Sequence, residues 1–394
     1  MESLKELYKI GRGPSSSHTM GPVKAAENFL KKNMNADKFK VELYGSLAFT
    51  GKGHLTDVAL RQILGEETII EFHYEIIYTY HTNGMKFFAY LKDEIIDEWL
   101  VFSIGGGSLK ELDEPRNFNK DNLYKETSMQ EILDYCSINK LNLLEYILKN
   151  EDNTFITYME KIVKQMFATV EEGLSKEEVL PGKLQVKRKA KKYYENYLIH
   201  KLFSSLVFAN ALAASEENAS GGIIVIAPTC GSSGVMPGVM KSFYDEKKYS
   251  FKQIVDAVIV GGLIGNLVKS NASISGAEVG CQGEVGTACA MTAAALAFLK
   301  GGTNSQIEYA AEIALEHHLG MTCDPILGYV QIPCIERNAI SAMRAIDSAN
   351  YSLLGDGKHL ITLDMVIASL KETGADMHVN YRETSLGGLA KHIK

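Results

Sequence analysis

The spacing of hydrophobic and polar positions changes about one third of the way along this chain. In the first part, stretches with a helical pattern (VKAAENFLKK and HLTDVALRQILG) alternate with stretches that favour strands, such as KVELYGSLAF. Residues 68–107 are rich in β-branched and aromatic side chains, and they contain the pair Asn83-Gly84, which is typical of a hairpin turn. The pattern predicts an α+β domain built on an antiparallel sheet.

From Ser128 the pattern becomes helical. Four residues fall at i, i+3, i+4 and i+7, as on one apolar helix face: Met129, Ile132, Leu133 and Cys136. A charged stretch around Pro181-Gly182 contains a candidate inter-domain loop, and alanine- and glycine-rich helical segments with little β signal follow it. We predict an α+β domain over residues 1–150 and a mostly all-α domain over residues 151–394.

Composition narrows the class of protein. The 394 residues are 46% hydrophobic and 23% charged, as in an ordinary globular protein, and the net charge of −7 with no basic block points away from a nucleic-acid partner. The longest apolar run, residues 257–268, is short and broken by glycines, so we expect no membrane partner. The first residues lack the pattern of a secretion signal, which favours a cytoplasmic location.

The six cysteines do not suggest a disulfide framework in a chain of this kind. Cys136 lies on the apolar helix face, and Cys289 lies in the alanine-rich GTACAMTAAALAFL, so both are predicted to be small core residues. Cys230, in the glycine-rich turn IAPTCGSSGVMPG, is a candidate fourth ligand, a wall of a site or a plain turn residue.

Three other cysteines lie where glycine and proline force the backbone to bend. Cys281 lies in EVGCQGEVG, whereas Cys323 and Cys334 bracket CDPILGYVQIPC. Three thiols without a CxxC pair fit a structural zinc site poorly. They fit better an iron–sulfur cluster with one iron left open, although a single metal ion and unliganded thiols remain alternatives.

Several long motifs together resemble one family, the iron–sulfur-dependent L-serine dehydratases (L-serine ammonia-lyases). In chain order they are GPSSSHTMGP, LYGSLAFTGKGHLTD, SIGGGSL, APTCGSSGVMPG, GCQGEVGTACAM, CDPILGYVQIPCIERNAI and YRETSLGGLA. The resemblance implies a 4Fe–4S cluster on Cys281, Cys323 and Cys334. It also implies deamination of L-serine to pyruvate and ammonia without pyridoxal phosphate.

The stretch GRGPSSSHTMGP has the chemistry needed to hold such a substrate. Pro22 favours a helix start near Gly21, where free N–H groups and the helix dipole attract a carboxylate. Four hydroxyl-bearing residues around this start are our predicted substrate contacts: Ser15, Ser16, Ser17 and Thr19. The alternative is a serine-rich helix cap with a solvated histidine.

A base is needed to remove the Cα proton of serine. His18 is the first candidate, because the pKa of histidine lies near working pH. His54 and Lys52, in the polar turn TGKGHLTD, are the second candidates for the base or for substrate contact. Since these residues precede the cysteines by more than 200 positions, the active site is predicted at the domain interface.

Polar residues next to the three cysteines have two readings each. Glu284 and Asp324 flank the cysteines as supporting groups or as helix caps. Glu336, Arg337 and Asn338 follow Cys334 and either orient substrate or cap a helix.

Two other functions remain open from the sequence. One is β-elimination from another amino acid such as threonine or cysteine, because one methyl group changes binding by only about 1–3 kcal/mol. The other is a non-catalytic amino-acid sensor, since the N-terminal domain resembles a small-molecule regulatory module. A homodimer is the expected assembly.

Overall fold

In the computed structural model, which describes residues 1–104, 106–112 and 123–393, a sheet-containing part lies against a larger helical part. The elements of the first part are, in chain order, β1 (Lys9–Arg12), α1 (Gly21–Lys32), β2 (Lys38–Tyr44), α2 (Ser46–Thr50), α3 (Thr56–Leu64), β3 (Ile69–His73), β4 (Gly84–Leu91), β5 (Glu94–Ser103) and β6 (Leu109–Lys110). The predicted α+β class is confirmed.

The main sheet has one apolar face, which α1 and α3 cover. In β2, alternation places Phe39, Val41 and Leu43 on the buried face, with lysine and glutamate between them. Phe29 of α1 and Leu60 of α3 pack into the same buried cluster. The period-two pattern in the sequence therefore reflects a sheet with helices on one side.

Strand order corrects two details of the prediction. The order is β3-β2-β4-β5-β6, and β2 pairs with β3 in parallel, so the sheet is mixed rather than purely antiparallel. Because α2 and α3 connect β2 to β3, the chain crosses over between these strands. The predicted hairpin at Asn83-Gly84 was wrong, since β3 and β4 lie on opposite sides of β2. The turn that does join a hairpin, between β4 and β5, contains Lys92 and Asp93, whose φ angles are 51° and 65°.

The second part is mostly helical. Its elements are α4 (Met129–Asn139), α5 (Leu143–Asn150), α6 (Phe155–Ser175), α7 (Ala190–His200), α8 (Phe203–Ala219), β7 (Ile223–Ile226), α9 (Val235–Lys247), α10 (Phe251–Asn271), α11 (Gly276–Val279), α12 (Thr287–Leu299), α13 (Asn304–Glu316), α14 (Cys334–Leu354) and α15 (Leu363–Asp376). The short run IIVI of β7 was missed by the sequence pattern and pairs antiparallel with β1. This pair links the two parts of the molecule.

One large apolar core extends through the helical part and takes in the start of the chain. Met1, Leu4, Leu7 and Tyr8 are buried in it. The Tyr8 hydroxyl donates a hydrogen bond of 2.8 Å to the Val258 carbonyl in α10. The first eight residues therefore belong to the helical core, although they precede the sheet in sequence.

The same core extends across residue 150, where the sequence suggested a domain boundary. Tyr146, Ile147 and Phe155 all belong to it. The division into residues 1–150 and 151–394 stays a prediction. The two cysteines assigned to the core are confirmed there, since Cys136 and Cys289 are both fully buried.

Among the described residues, one helix, α10, is long and apolar enough to cross a membrane. Within the molecule, 78% of its apolar window is buried. It packs against α12 in the large core. This placement is that of a helix in the interior of a fold.

Candidate active site

The serine-rich stretch forms a π-helical turn, Ser16–Met20, that runs directly into α1. Ser15 caps the turn, since its Oγ accepts a hydrogen bond of 3.1 Å from the His18 N–H group. The predicted helix start near Gly21 is confirmed, with a proline in the first turn of α1. The Gly21 N–H group donates to the Ser16 carbonyl, however, so it is not free to bind a carboxylate.

The predicted substrate-binding residues are all buried: Ser15, Ser16, Ser17 and Thr19. The hydroxyls of Ser15, Ser17 and Thr19 contact the two histidines. The Ser17 Oγ lies 2.9 Å from His18 Nδ1, and the Thr19 Oγ1 donates to the His54 carbonyl at 2.8 Å. In this state the hydroxyls position the two histidines, and their contact with substrate stays a prediction.

His18 is fully buried between two hydroxyl groups. Its Nδ1 contacts Ser17, and its Nε2 lies 3.0 Å from the Oγ of Ser46, the first residue of α2. Burial lowers the pKa of His18 to about 4, so the ring is neutral at neutral pH.

His54 stacks on His18, with ring centroids 4.5 Å apart. Its Nδ1 lies 2.8 Å from the Thr50 carbonyl, and a carbonyl only accepts, so Nδ1 carries a hydrogen. The Nε2 atom is buried without a hydrogen-bond partner and lies 3.4 Å from Glu383 Oε1. In the neutral ring, Nε2 is thus the basic nitrogen, and it faces a carboxylate.

Glu383 completes this group and was missed from the sequence. Its Oε1 lies 3.4 Å from His54 Nε2 and 3.7 Å from His18 Nδ1. Burial by itself would raise the pKa of Glu383, but the charge of His18 and a hydrogen bond with His54 lower it. The Glu383 carbonyl accepts a hydrogen bond from Ser46 Oγ, and its N–H group donates to the Cys323 carbonyl at 2.8 Å. Glu383 therefore joins the histidine pair to the cysteine loop.

The three predicted ligand cysteines are all buried. Cys281 directly precedes a π-helical segment that leads into α12, Cys323 lies in the loop after α13, and Cys334 begins α14. The Sγ atoms of Cys281 and Cys323 and a carboxylate oxygen of Glu284 all lie within 4.8 Å of one another. Cys334 lies outside this closest set, and burial, followed by the charge of Cys281, raises the pKa of its thiol.

Arg337 provides positive charge beside these thiols. It donates to the Thr322 carbonyl, and its second nitrogen pairs with Asp324 at 3.1 Å. A hydrogen bond from Cys323, followed by Arg337, lowers the pKa of Cys281 against the effect of burial. Cys281 is thus the favoured thiolate of the set. Of the other two residues after Cys334, Asn338 bonds to the Cys334 carbonyl, whereas Glu336 is largely exposed and pairs with Lys189.

The donor set suits a metal group bound through sulfur. Buried thiols are the ligands that iron–sulfur clusters and other soft metals prefer. Small residues leave room around them, because a Cβ added at Gly276 would lie 3.1 Å from Cys323 Sγ and 2.7 Å from Glu284 Oε2. The site therefore fits a thiolate-bound group, with Glu284 as the nearest oxygen.

Of the remaining sequence candidates, Lys52 lies apart from this constellation, whereas Cys230 lies at its edge, since a Cβ added at the next residue, Gly231, would be 3.5 Å from the Glu284 carboxylate. Lys52 is exposed, and its Nζ lies 5.0 Å from the centre of the Phe72 ring. Cys230 is buried against Met20, with its Sγ 3.6 Å from the methionine sulfur, and burial raises its pKa. The structure brings His18, His54 and the cysteines toward one place, and Lys52 is not among them.

Buried neutral histidines make the folded protein sensitive to acid. Burial lowers the pKa of both His18 and His318 to about 4, below the ordinary value of 6.5. Between these two pH values the unfolded chain binds more protons at these histidines than the folded protein does. Their contribution to the free energy of unfolding is therefore fully present above about pH 6.5 and is lost as the pH drops toward about 4. We expect the temperature at the midpoint of thermal unfolding to be lower at about pH 5 than at about pH 7. In His318→Gln this difference between the two pH values should be smaller. An equal fall in both proteins would contradict the prediction.

Taken with the fold, this site defines a class of α+β enzymes in which a histidine–carboxylate group lies beside a set of buried thiols. Comparison with known proteins identifies the family. The family described as serine dehydratase alpha chain matches residues 110–390, and that described as serine dehydratase beta chain matches residues 3–68.

Curated relatives align with nearly the whole chain. An L-serine dehydratase of Mycobacterium tuberculosis is 40% identical over 99% of this chain and 98% of its own length. L-serine dehydratase 2 of Escherichia coli is 37% identical over 100% and 99%, and an L-serine dehydratase of Haemophilus influenzae is 38% identical over 100% and 99%. The chain belongs to the serine dehydratase family and carries the alpha-chain and beta-chain segments in one polypeptide.

Proposed function

We propose that this protein is an L-serine ammonia-lyase that converts L-serine to pyruvate and ammonia. The family and the curated names of its relatives support the substrate. The observation that carries the chemistry is the contact of His54 Nε2 with Glu383, whose N–H group is bonded to the Cys323 carbonyl. An acid–base group and a set of metal-binding thiols are thereby held side by side.

The proposal includes a 4Fe–4S cluster on Cys281, Cys323 and Cys334, with no pyridoxal phosphate. Three buried thiols, one of them favoured as thiolate by its neighbours, support it. When bound, such a cluster supplies an open iron that acts as a Lewis acid toward the leaving hydroxyl of serine.

We assign the base to His54 in preference to His18, reversing the order given by the sequence. His54 Nε2 has a free lone pair in the neutral ring, because Nδ1 is committed to the Thr50 carbonyl. Both nitrogens of His18 face hydroxyl groups, and burial lowers its pKa to about 4, which makes it a weak base. His18 then acts as a neutral support against which the His54 ring stacks.

Glu383 stabilises the charge that proton abstraction creates. When His54 takes the Cα proton of serine on Nε2, the ring becomes an imidazolium with Nε2–H directed at the Glu383 carboxylate 3.4 Å away. The electron pair of the broken Cα–H bond forms the Cα–Cβ double bond as the β-hydroxyl leaves, and the hydroxide takes up a proton to give water. The resulting aminoacrylate tautomerises to the imine, which water hydrolyses to pyruvate and ammonia. Burial of the whole group limits competing protonation by water.

Anaerobic purification followed by three measurements tests this function. We expect about four irons and four sulfides per chain, together with pyruvate formation from L-serine. Iron-free protein that still deaminates serine would refute the cluster, and cluster-loaded protein that prefers L-threonine or L-cysteine would refute the substrate. The proposal also includes a homodimer and a cytoplasmic location. Size-exclusion chromatography checks the homodimer.

A further inference from the structure

A cavity lies in the helical part, and neither the three cysteines nor the histidine pair line it. Its volume is about 730 Å³, within the range of small-molecule sites. It lies between α13 and α14, and the loop that precedes α15 closes one side with Leu360 and Ile361. Tyr309 of α13 and Tyr351 of α14 add aromatic walls.

A buried carboxyl group, that of Glu312, lines this cavity. Glu312 is only 2% exposed, and its Oε1 atom is buried without a hydrogen-bond partner. When protonated, Glu312 hydrogen-bonds to the neighbouring Glu316 carboxylate, which contributes to its raised pKa. A ligand that carries an ammonium group would replace this shared proton and donate to both carboxylates.

The charges around Glu312 favour a cation. Burial, followed by the neighbouring Glu316 carboxylate, raises the pKa of Glu312 to about 8. Asp347 adds a third carboxyl group to the lining. The Arg344 guanidinium adds a positive charge to the lining. One of its nitrogens donates a hydrogen bond of 3.3 Å to the His317 carbonyl. Acidic groups therefore outnumber the arginine around the cavity.

The walls favour an organic cation over a metal ion. Among the described residues, the groups that converge at metal-ligand distances lie elsewhere in the molecule. Tyr309 and Tyr351 line the cavity and meet edge-on at 6.1 Å, and aromatic ring faces attract ammonium groups. His359 stacks on one face of Tyr309 and covers it. Leu360 is 86% exposed and Ile361 is 45% exposed, so an alkyl chain could cover both.

We propose that this cavity binds a small primary amine, with its ammonium group on Glu312 and Glu316 and its alkyl chain against Leu360 and Ile361. The ammonium belongs to a simple amine or to an α-amino acid, whose carboxylate would pair with Arg344. This site is distinct from the proposed active site, and its test does not depend on serine deamination.

Isothermal titration calorimetry on the full chain with three matched probes tests the proposal. L-Leucine carries both charged groups, isoamylamine lacks the carboxylate, and 4-methylpentanoate lacks the ammonium. We expect isoamylamine and L-leucine to bind and 4-methylpentanoate not to bind. Tighter binding of L-leucine that Arg344→Gln removes would assign the amino acid as the ligand, and equal binding of the two would assign the simple amine.

Substitutions locate the binding. Glu312→Gln keeps the size of the side chain but cannot ionise to pair with an ammonium group, so we expect affinity for both amines to fall at least about tenfold. Glu372→Gln, at an exposed position of α15, is the matched control and should leave affinity unchanged. Unchanged affinity in Glu312→Gln, binding of 4-methylpentanoate alone, or no binding of either amine would overturn the proposal.

Discussion

Cys323→Ala is expected to remove the bound iron and to abolish pyruvate formation. The substitution deletes one of three thiols at the site, and Cys323 Sγ lies within 4.8 Å of Cys281 Sγ and a Glu284 oxygen. Its backbone contacts do not depend on the side chain, since the Cys323 N–H donates to the Tyr381 carbonyl and its carbonyl accepts from Glu383. The variant should therefore fold and lose only the group. Iron content and the visible absorbance of anaerobic protein measure the effect.

Cys289→Ala is the matched control. This thiol is equally buried, but it lies in α12, where its Sγ bonds to the Ser341 carbonyl. Iron and activity per folded molecule should stay near those of the unmodified protein, with some loss of stability from the lost core contact. Full iron content in Cys323→Ala, or loss of iron in Cys289→Ala, would show that the ligand assignment is wrong.

The second large effect is expected in His54→Gln, which should lower kcat by about 10²- to 10⁴-fold with the iron retained. Glutamine can still donate to the Thr50 carbonyl but offers no basic nitrogen toward Glu383. Steady-state pyruvate formation, with iron measured on the same sample, separates loss of the base from loss of the cluster.

His18→Gln and Glu383→Gln place the roles of the neighbouring groups. Glu383→Gln removes the charge that balances the imidazolium, so its kcat should lie between those of the unmodified protein and His54→Gln. His18→Gln should have a smaller effect than His54→Gln, because the two ring nitrogens of His18 are already bonded to hydroxyls. If His18→Gln shows the larger loss, the base is His18 and the assignment is reversed.

Local sequence patterns predicted the helices and strands of this fold better than they predicted which strands pair with each other. Alternation in β2 correctly indicated a half-buried strand, because burial on one face follows directly from spacing. Pairing of β3 with β2, and of β7 with β1, depends on segments that meet only after the chain has folded. The Asn83-Gly84 pair is typical of a hairpin turn, but no hairpin forms there because β3 and β4 lie on opposite sides of β2.

The candidate site shows the same division. Glycine- and proline-rich bends pointed to Cys281, Cys323 and Cys334, and the polarity of two turns pointed to His18 and His54. Glu383 had no such local signal, because it is one acid in YRETSLGG and contacts Ser46, 337 positions earlier. The preference for His54 over His18 likewise depends on hydrogen-bond partners that the sequence does not reveal.

The burial of the first eight residues in the helical core bears on how the polypeptide could be divided. The chain begins inside that core with Met1–Tyr8, pairs β1 with β7, builds the sheet, and returns at Tyr124, whose carbonyl accepts from the Met1 amino group. The segment that forms the sheet is thus anchored to the helical part at both of its ends. If the beta-chain and alpha-chain segments were made as separate polypeptides, the first would supply a missing part of the second's interior. Such halves would reassemble as a complementing pair, each unstable alone.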